Sequence, residues 1–169
     1  APMAAKTWVL TDVSKRQHVP DQIIDSSQLP QGVSIEKRTR RGGLSDGVEE
    51  LQIHNGALKF TVLPTRGMGL WKAQLGDVEL GWESPVAGPV HPSYVPLHEP
   101  SGLGWLSGFD EWLCRCGLVS NGAPDFNEQG QLTHPLHGQI ANLPAQHVQV
   151  TVDGDTIAIK GVVTEARFH

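Results

Sequence analysis

Two histidines three residues apart, His134 and His137, share the stretch His134-Pro-Leu-His-Gly-Gln-Ile-Ala-Asn-Leu-Pro-Ala-Gln-His147 with the amide of Asn142. An imidazole titrates at about pH 6.5, so near neutrality it can give or take a proton or a hydrogen bond. Pro135 steers His134 away from helical dihedrals, and Gly138 lets the backbone behind His137 turn tightly or approach a ligand. Arg66, in Pro64-Thr-Arg-Gly-Met68, adds a planar fork of donors suited to vicinal hydroxyls or a carboxylate. Its alternative is a structural arginine tying a strand end to loop carbonyls.

Asp110 and Glu111, in Gly108-Phe-Asp-Glu-Trp112, form the most conspicuous acidic pair. Two carboxyls that cleave a glycosidic bond must face each other across it, ~5–9.5 Å apart. Neighbours in an extended segment point to opposite faces, so this pair cannot do that job alone, and Asp110 is read as the member lining a cleft. Trp105 and Trp112 flank the pair and offer ring faces for stacking or, equally, core packing; Trp71 and Trp82, on strands, read as core. Asn121 reads as a turn cap and Asn142 as a polar partner for a ligand.

A metal reading would recruit His91, His98, His134 and His137 in a cupin-like jelly roll. Such a site wants histidines two apart on one strand face, whereas His134 and His137 are three apart around Pro135 and diverge if extended. Cys114 and Cys116 would share a strand face, too close in sequence for an easy disulfide, and no second pair completes a zinc set. Reduced thiols and no metal or other cofactor are expected.

The elements that must hold these residues are hairpins. Val48 to His54 and Ala57 to Leu63 flank Asn55-Gly56, the dipeptide suited to a type I′ turn, and Leu58, Phe60 and Val62 alternate with Lys59 and Thr61. Leu70 to Leu75 and Val78 to Trp82 flank Gly76-Asp77; Val148 to Val152 and Thr156 to Val163 flank Asp153-Gly154-Asp155. Three hairpins without helical crossovers predict an antiparallel all-β sandwich. Residues 1–42 lack such a pattern and read as an N-terminal arm packed on a domain spanning 43–169. The irregular, proline-rich middle, Ser84 to Gln146, is expected to form the ligand face.

Hydrophobic residues at 38% and charged residues at 18% are globular values, and 19 glycines with 12 prolines favour turns over long helices. A net charge of −5 argues against a nucleic-acid partner. The basic run Lys37-Arg-Thr-Arg-Arg41 reads as a solvated strand end or loop. No apolar run reaches the ~20 residues of a membrane helix, and no secretory pattern opens the chain, so a soluble, cytoplasmic protein without a membrane partner is expected.

Three runs together carry a resemblance: Leu63 to Trp71, Ser101 to Leu113, and the Pro-Leu-His-Gly of residues 135–138. From about Gly43 onward the chain resembles the galactose mutarotase superfamily, in its poorly characterised aldose 1-epimerase-like branch. The resemblance implies a large antiparallel β-sandwich binding a small-molecule sugar across one sheet, longer than this chain. An N-terminal half is therefore expected, in keeping with Met3 as first methionine and a strand-like run just before His169. It identifies His137 with the sugar-contacting histidine of a Leu-His-Gly motif; Arg66, Asp110, Trp105, Asn142 and His134, read from their own chemistry and placement, are the expected substrate contacts. Mutarotation needs one group to take the anomeric proton and another to protonate the ring oxygen. The superfamily's glutamate base and second histidine match no position here, Glu165 included, so catalysis would be completed by sequence beyond this chain. A non-catalytic sugar-binding or sensing protein is the alternative. A sandwich cut partway leaves strand edges uncovered, so self-association of the isolated chain is expected.

Overall fold

The computed structural model describes residues 4–115 and 117–168, so Cys116 lies outside the described residues. Among the described residues are twelve β-strands, short 3-10 turns and no α-helix. The strands are β1 (Lys6–Asp12), β2 (Gln17–His18), β3 (Gln22–Ile23), β4 (Val33–Thr39), β5 (Glu49–Asn55) and β6 (Leu58–Leu63). They continue as β7 (Gly69–Leu75), β8 (Val78–Leu80), β9 (Asp125–Phe126), β10 (Leu132–His134), β11 (His147–Asp153) and β12 (Thr156–Val162). Strands β3 to β8 form a six-stranded antiparallel sheet in chain order; β12, β11, β1 and β2 form a four-stranded sheet; β9 and β10 make a ribbon.

All three predicted hairpins are present, as β5–β6, β7–β8 and β11–β12. Their registers explain the sandwich. Ile35, Ile53, Phe60, Ala73 and Leu80 lie opposite one another across five strands. Pleating then sends Glu36, Gln52, His54 and Lys59 to the other face. Ile35, Leu51, Ile53 and Val62 pack against Leu10, Val148, Val150 and Val152 of the smaller sheet, all of them buried. Each such side chain contributes roughly 1.5–3 kcal/mol.

Three expectations are corrected. The β5–β6 turn is not type I′, because positive φ is confined to Gly56 (102°); Asn55 instead uses Oδ1 to accept from the N–H groups of Ala57 and Leu58. Residues 1–42 are not an arm laid on the sandwich: β1 pairs with β11 inside the smaller sheet, and β4 pairs with β5 inside the larger one. The basic run is not wholly solvated either. Lys37 stands opposite Leu51, which turns it toward the interior at 4% exposure. There its ammonium reaches Glu49 at 2.8 Å and donates to the Val19 carbonyl at 2.9 Å.

The middle segment is irregular, as predicted, but has a core of its own: Val90, Val95, Leu97 and Trp105, with Phe109 and Leu136 packed against them. It is fastened to the six-stranded sheet by backbone bonds from Trp112 to Leu70 and from Ala145 to Pro64, and by the Trp82 indole donating to the Glu111 carbonyl.

Candidate functional site

His137 is placed by main chain. Gly138 N–H donates to the Pro135 carbonyl at 3.1 Å, closing a turn whose third residue is His137, at φ 57°. That left-handed conformation is uncommon outside glycine and costs on the order of 1–3 kcal/mol unless neighbours impose it. Three bonds impose it here: Leu136 N–H to Gly102, His137 N–H to Gly122, and Gly117 N–H to the His137 carbonyl. A side chain on Gly138 would meet the Ser120 carbonyl at 2.5 Å, so the backbones pack there without room for a Cβ. The imidazole lies edge-on to Trp105, ring centroids 4.5 Å apart, and its Nδ1 is buried without a hydrogen-bond partner among the described residues.

Arg66 occupies the 3-10 turn between β6 and β7, at 1% exposure. Its Nε donates to Glu111 Oε1 at 2.6 Å, and its Nη1 donates to the Val90 carbonyl at 2.8 Å and to Asn142 Oδ1 at 3.1 Å. Gly67, at φ 58°, lets the turn carrying Asn142 press close; a Cβ there would stand 1.9 Å from the Ile140 carbonyl. Arg115 braces the same turn, donating to the carbonyls of Arg66 (2.8 Å) and Gly67. Burial pushes the Arg115 pKa below the usual arginine range; the Glu111 carboxylate opposes that, and the Arg66 charge adds to it.

The other expected contacts are also located. Asp110, at 6% exposure, accepts from the Trp71 indole at 2.8 Å and lies 3.6 Å from the Lys72 ammonium. Trp105 is buried at 4% exposure and stacks on Phe109, centroids 4.4 Å apart, so it supports His137 from within the core. Trp82 sits beyond β8 and is 42% exposed, not core. His134 lies on the β9–β10 ribbon, 3.7 Å from Asp125, and takes no part in the Arg66 cluster. The structure thus joins Arg66, Asn142 and Glu111 through their side chains; Asp110 enters only by its backbone N–H, which donates to Glu111 Oε2 at 3.2 Å, and His137 lies on the same irregular segment as Glu111 and Asn142. Arg115 was missed as a member, and Glu111 was read only as the other half of an acidic pair; the two carry opposite charge four residues apart.

A separate groove of about 990 Å³ crosses the outer face of the six-stranded sheet. Glu36, Gln52, Lys59, Thr61 and Lys72 line it, with Trp82 at one end, and none of the expected contact residues does. Beside it, the Arg40 guanidinium pairs with the buried Glu50 and covers the Trp71 ring at 4.6 Å. Among the described residues no group of three or more His, Cys, Asp or Glu side chains could hold a metal ion. No described helix is long and apolar enough to cross a membrane.

The chain is similar to the crystal structure, at 1.90 Å, of a "putative aldose 1-epimerase" from Klebsiella pneumoniae subsp. pneumoniae MGH 78578, with a TM-score of 0.87 and 38% identity. The match covers 98% of this chain and 44% of that one, so the chain spans under half the length of that protein. No curated protein matches. A family described as a domain of unknown function, DUF4432, matches residues 45–169. By that match the chain belongs to the DUF4432 family, and its all-β antiparallel fold is of the aldose 1-epimerase-like kind.

Proposed function

We propose that this chain forms the sugar-binding half of an aldose 1-epimerase-type enzyme, which interconverts the anomers of an aldose by general acid and base catalysis. The observation that carries the reading is His137: a histidine in the resembling Leu-His-Gly position, held at positive φ, with a buried Nδ1 lacking a partner. Imposed strain and an unspent hydrogen-bonding group at one residue are what a preorganised contact requires. In this reading His137 bonds the ring oxygen or a hydroxyl of the sugar and steadies the charge that shifts as the ring opens. The base that takes the anomeric proton comes from sequence beyond the 169 residues. The Arg66–Glu111–Asn142 network fixes the turn against which the sugar sits. The reaction draws on no cofactor, and the protein works in the cytoplasm.

In the full-length protein, His137→Ala should lower kcat/KM for anomer interconversion by ~10²-fold, the scale of a lost acid, base or positioning group. Exchange NMR or polarimetry over a panel of hexoses and pentoses measures it. Undiminished activity would remove His137 from the mechanism. The outer-face groove favours a second reading, sugar binding without chemistry; there the variant binds sugar as the wild type does and neither protein speeds mutarotation.

A further inference from the structure

Among the described residues only three buried side-chain polar atoms lack a hydrogen-bond partner: Arg115 Nε, His137 Nδ1 and Asn142 Nδ2. All three belong to the irregular segment. Asn142 accepts from Arg66, Arg115 donates to the consecutive carbonyls of Arg66 and Gly67, and the His137 carbonyl accepts from Gly117, two residues past Arg115. A buried donor left unpaired is costly, so three in one neighbourhood call for a common cause.

Their chemistry narrows it. Arg115 Nε and Asn142 Nδ2 only donate, and a neutral imidazole donates from Nδ1 in one of its tautomers. Charge points the same way. Two guanidinium groups, Arg66 and Arg115, face one carboxylate, Glu111, which is 2.6 Å from the first and 3.9 Å from the second. The next carboxylate, Asp110, is already engaged by Trp71 and Lys72. Among the described residues the cluster therefore holds two guanidinium groups to one carboxylate, with Arg66 1% and Arg115 24% exposed. A buried charge of that kind is expensive unless paired.

We infer that this cluster receives an anionic group of the substrate, so that the sugar recognised is an acid, such as a uronate, with its carboxylate directed at Arg115 and Asn142. The inference rests on the sugar-binding reading above and specifies its substrate class. A carboxylate offers about four lone-pair sites, matching planar N–H donors from a guanidinium and an amide.

Calorimetric titration of the full-length protein with D-glucuronate and D-galacturonate, against D-glucose and D-galactose, tests it. Each uronate should bind at least about tenfold more tightly than the matching aldose, the scale of one charge-assisted hydrogen bond. Asn142→Asp keeps the acceptor used by Arg66 and places a carboxylate where the anion would go. It should erase the uronate preference while raising Tm, or leaving it unchanged. Arg115→Lys keeps the charge but removes Nε together with the Nη bonds to the Arg66 and Gly67 carbonyls, and should weaken uronate binding about tenfold more than it weakens aldose binding.

Equal affinity for uronate and aldose, as expected if water or an acidic side chain already fills the place, overturns the anionic assignment and leaves the sugar reading standing. A lowered Tm in Asn142→Asp also overturns it, since no positive charge would then be waiting for a partner. Failure of both sugar classes to bind overturns both readings together.

Discussion

The sandwich and the segment laid across its end are held by different forces. Between the sheets the buried residues are almost all aliphatic, and neighbouring strands contribute them in register. In the segment from Trp82 to Ala145 the tightest contacts are polar: Arg66 with Glu111, Asp110 with Trp71, Arg115 with the turn at Gly67. Apolar burial is additive and tolerant, since losing one methyl group leaves the rest in place. A buried ion pair is not, because removing one member strands the other. A fold that needs only stability can rely on the first. Polar groups set in fixed directions require the second, and the unpaired atoms fall in the segment that uses it.

The largest expected effect breaks the polar side. Glu111→Ala leaves Arg66 and Arg115 together without their carboxylate and should cost about 3–5 kcal/mol. Urea unfolding gives the total, and limited proteolysis should cut first between residues 82 and 146. A loss below about 1 kcal/mol would mean that solvent already screens the pair, and the contrast between the two regions would collapse. Leu51→Ala, at 0% exposure between the sheets, should cost about 2–5 kcal/mol and leave the proteolysis pattern unchanged. Early cleavage of the same segment in that variant would show that the two regions unfold as one unit.

The smallest effect is a matter of pH. Asp21 accepts from the hydroxyl and backbone N–H of Thr39 and lies 3.6 Å from Lys37. Those hydrogen bonds, the hydroxyl's foremost, hold its pKa below the usual 3.8. A lowered carboxylate pKa contributes stability above the ordinary value and loses it as pH falls through the folded one. Asp21→Asn should therefore reduce Tm at pH 7, by under about 4 °C given its exposure, and match the wild type once pH drops below the folded pKa. A gap that persists in acid would assign the effect to shape, not charge.

The hairpins were legible because strand alternation and turn chemistry are local. The position of β1 was not: its partner strand is distant in sequence, and Lys6-Thr-Trp-Val-Leu-Thr-Asp12 alternates weakly. Lys37 was misread because a run of like charges suggests solvent, whereas register against β5 alone decides which side chain turns inward. At the candidate site, Pro135 and Gly138 signalled a turn, but the positive φ of His137 depends on bonds to the carbonyls of Gly102 and Gly122 and from the N–H of Gly117 that no spacing displays. Arg66 and Glu111 were each singled out. Their pairing was hidden because 45 residues separate them and only the docked segment brings them together.

The pairing of β1 with β11 also imposes an order of events on synthesis. Thr7 and Thr151, whose hydroxyls meet at 2.9 Å, are 144 residues apart, while the larger sheet joins only strands that follow one another. Loop-closure entropy makes such a distant contact slow to form, and apart from its short pairing with β2 near Thr11 and Asp12, β1 has no partner strand until β11 leaves the ribosome. The larger sheet can thus assemble first with its apolar side bare, and this nascent chain is most exposed to aggregation, or to capture by a chaperone, in the interval before residue 153 emerges.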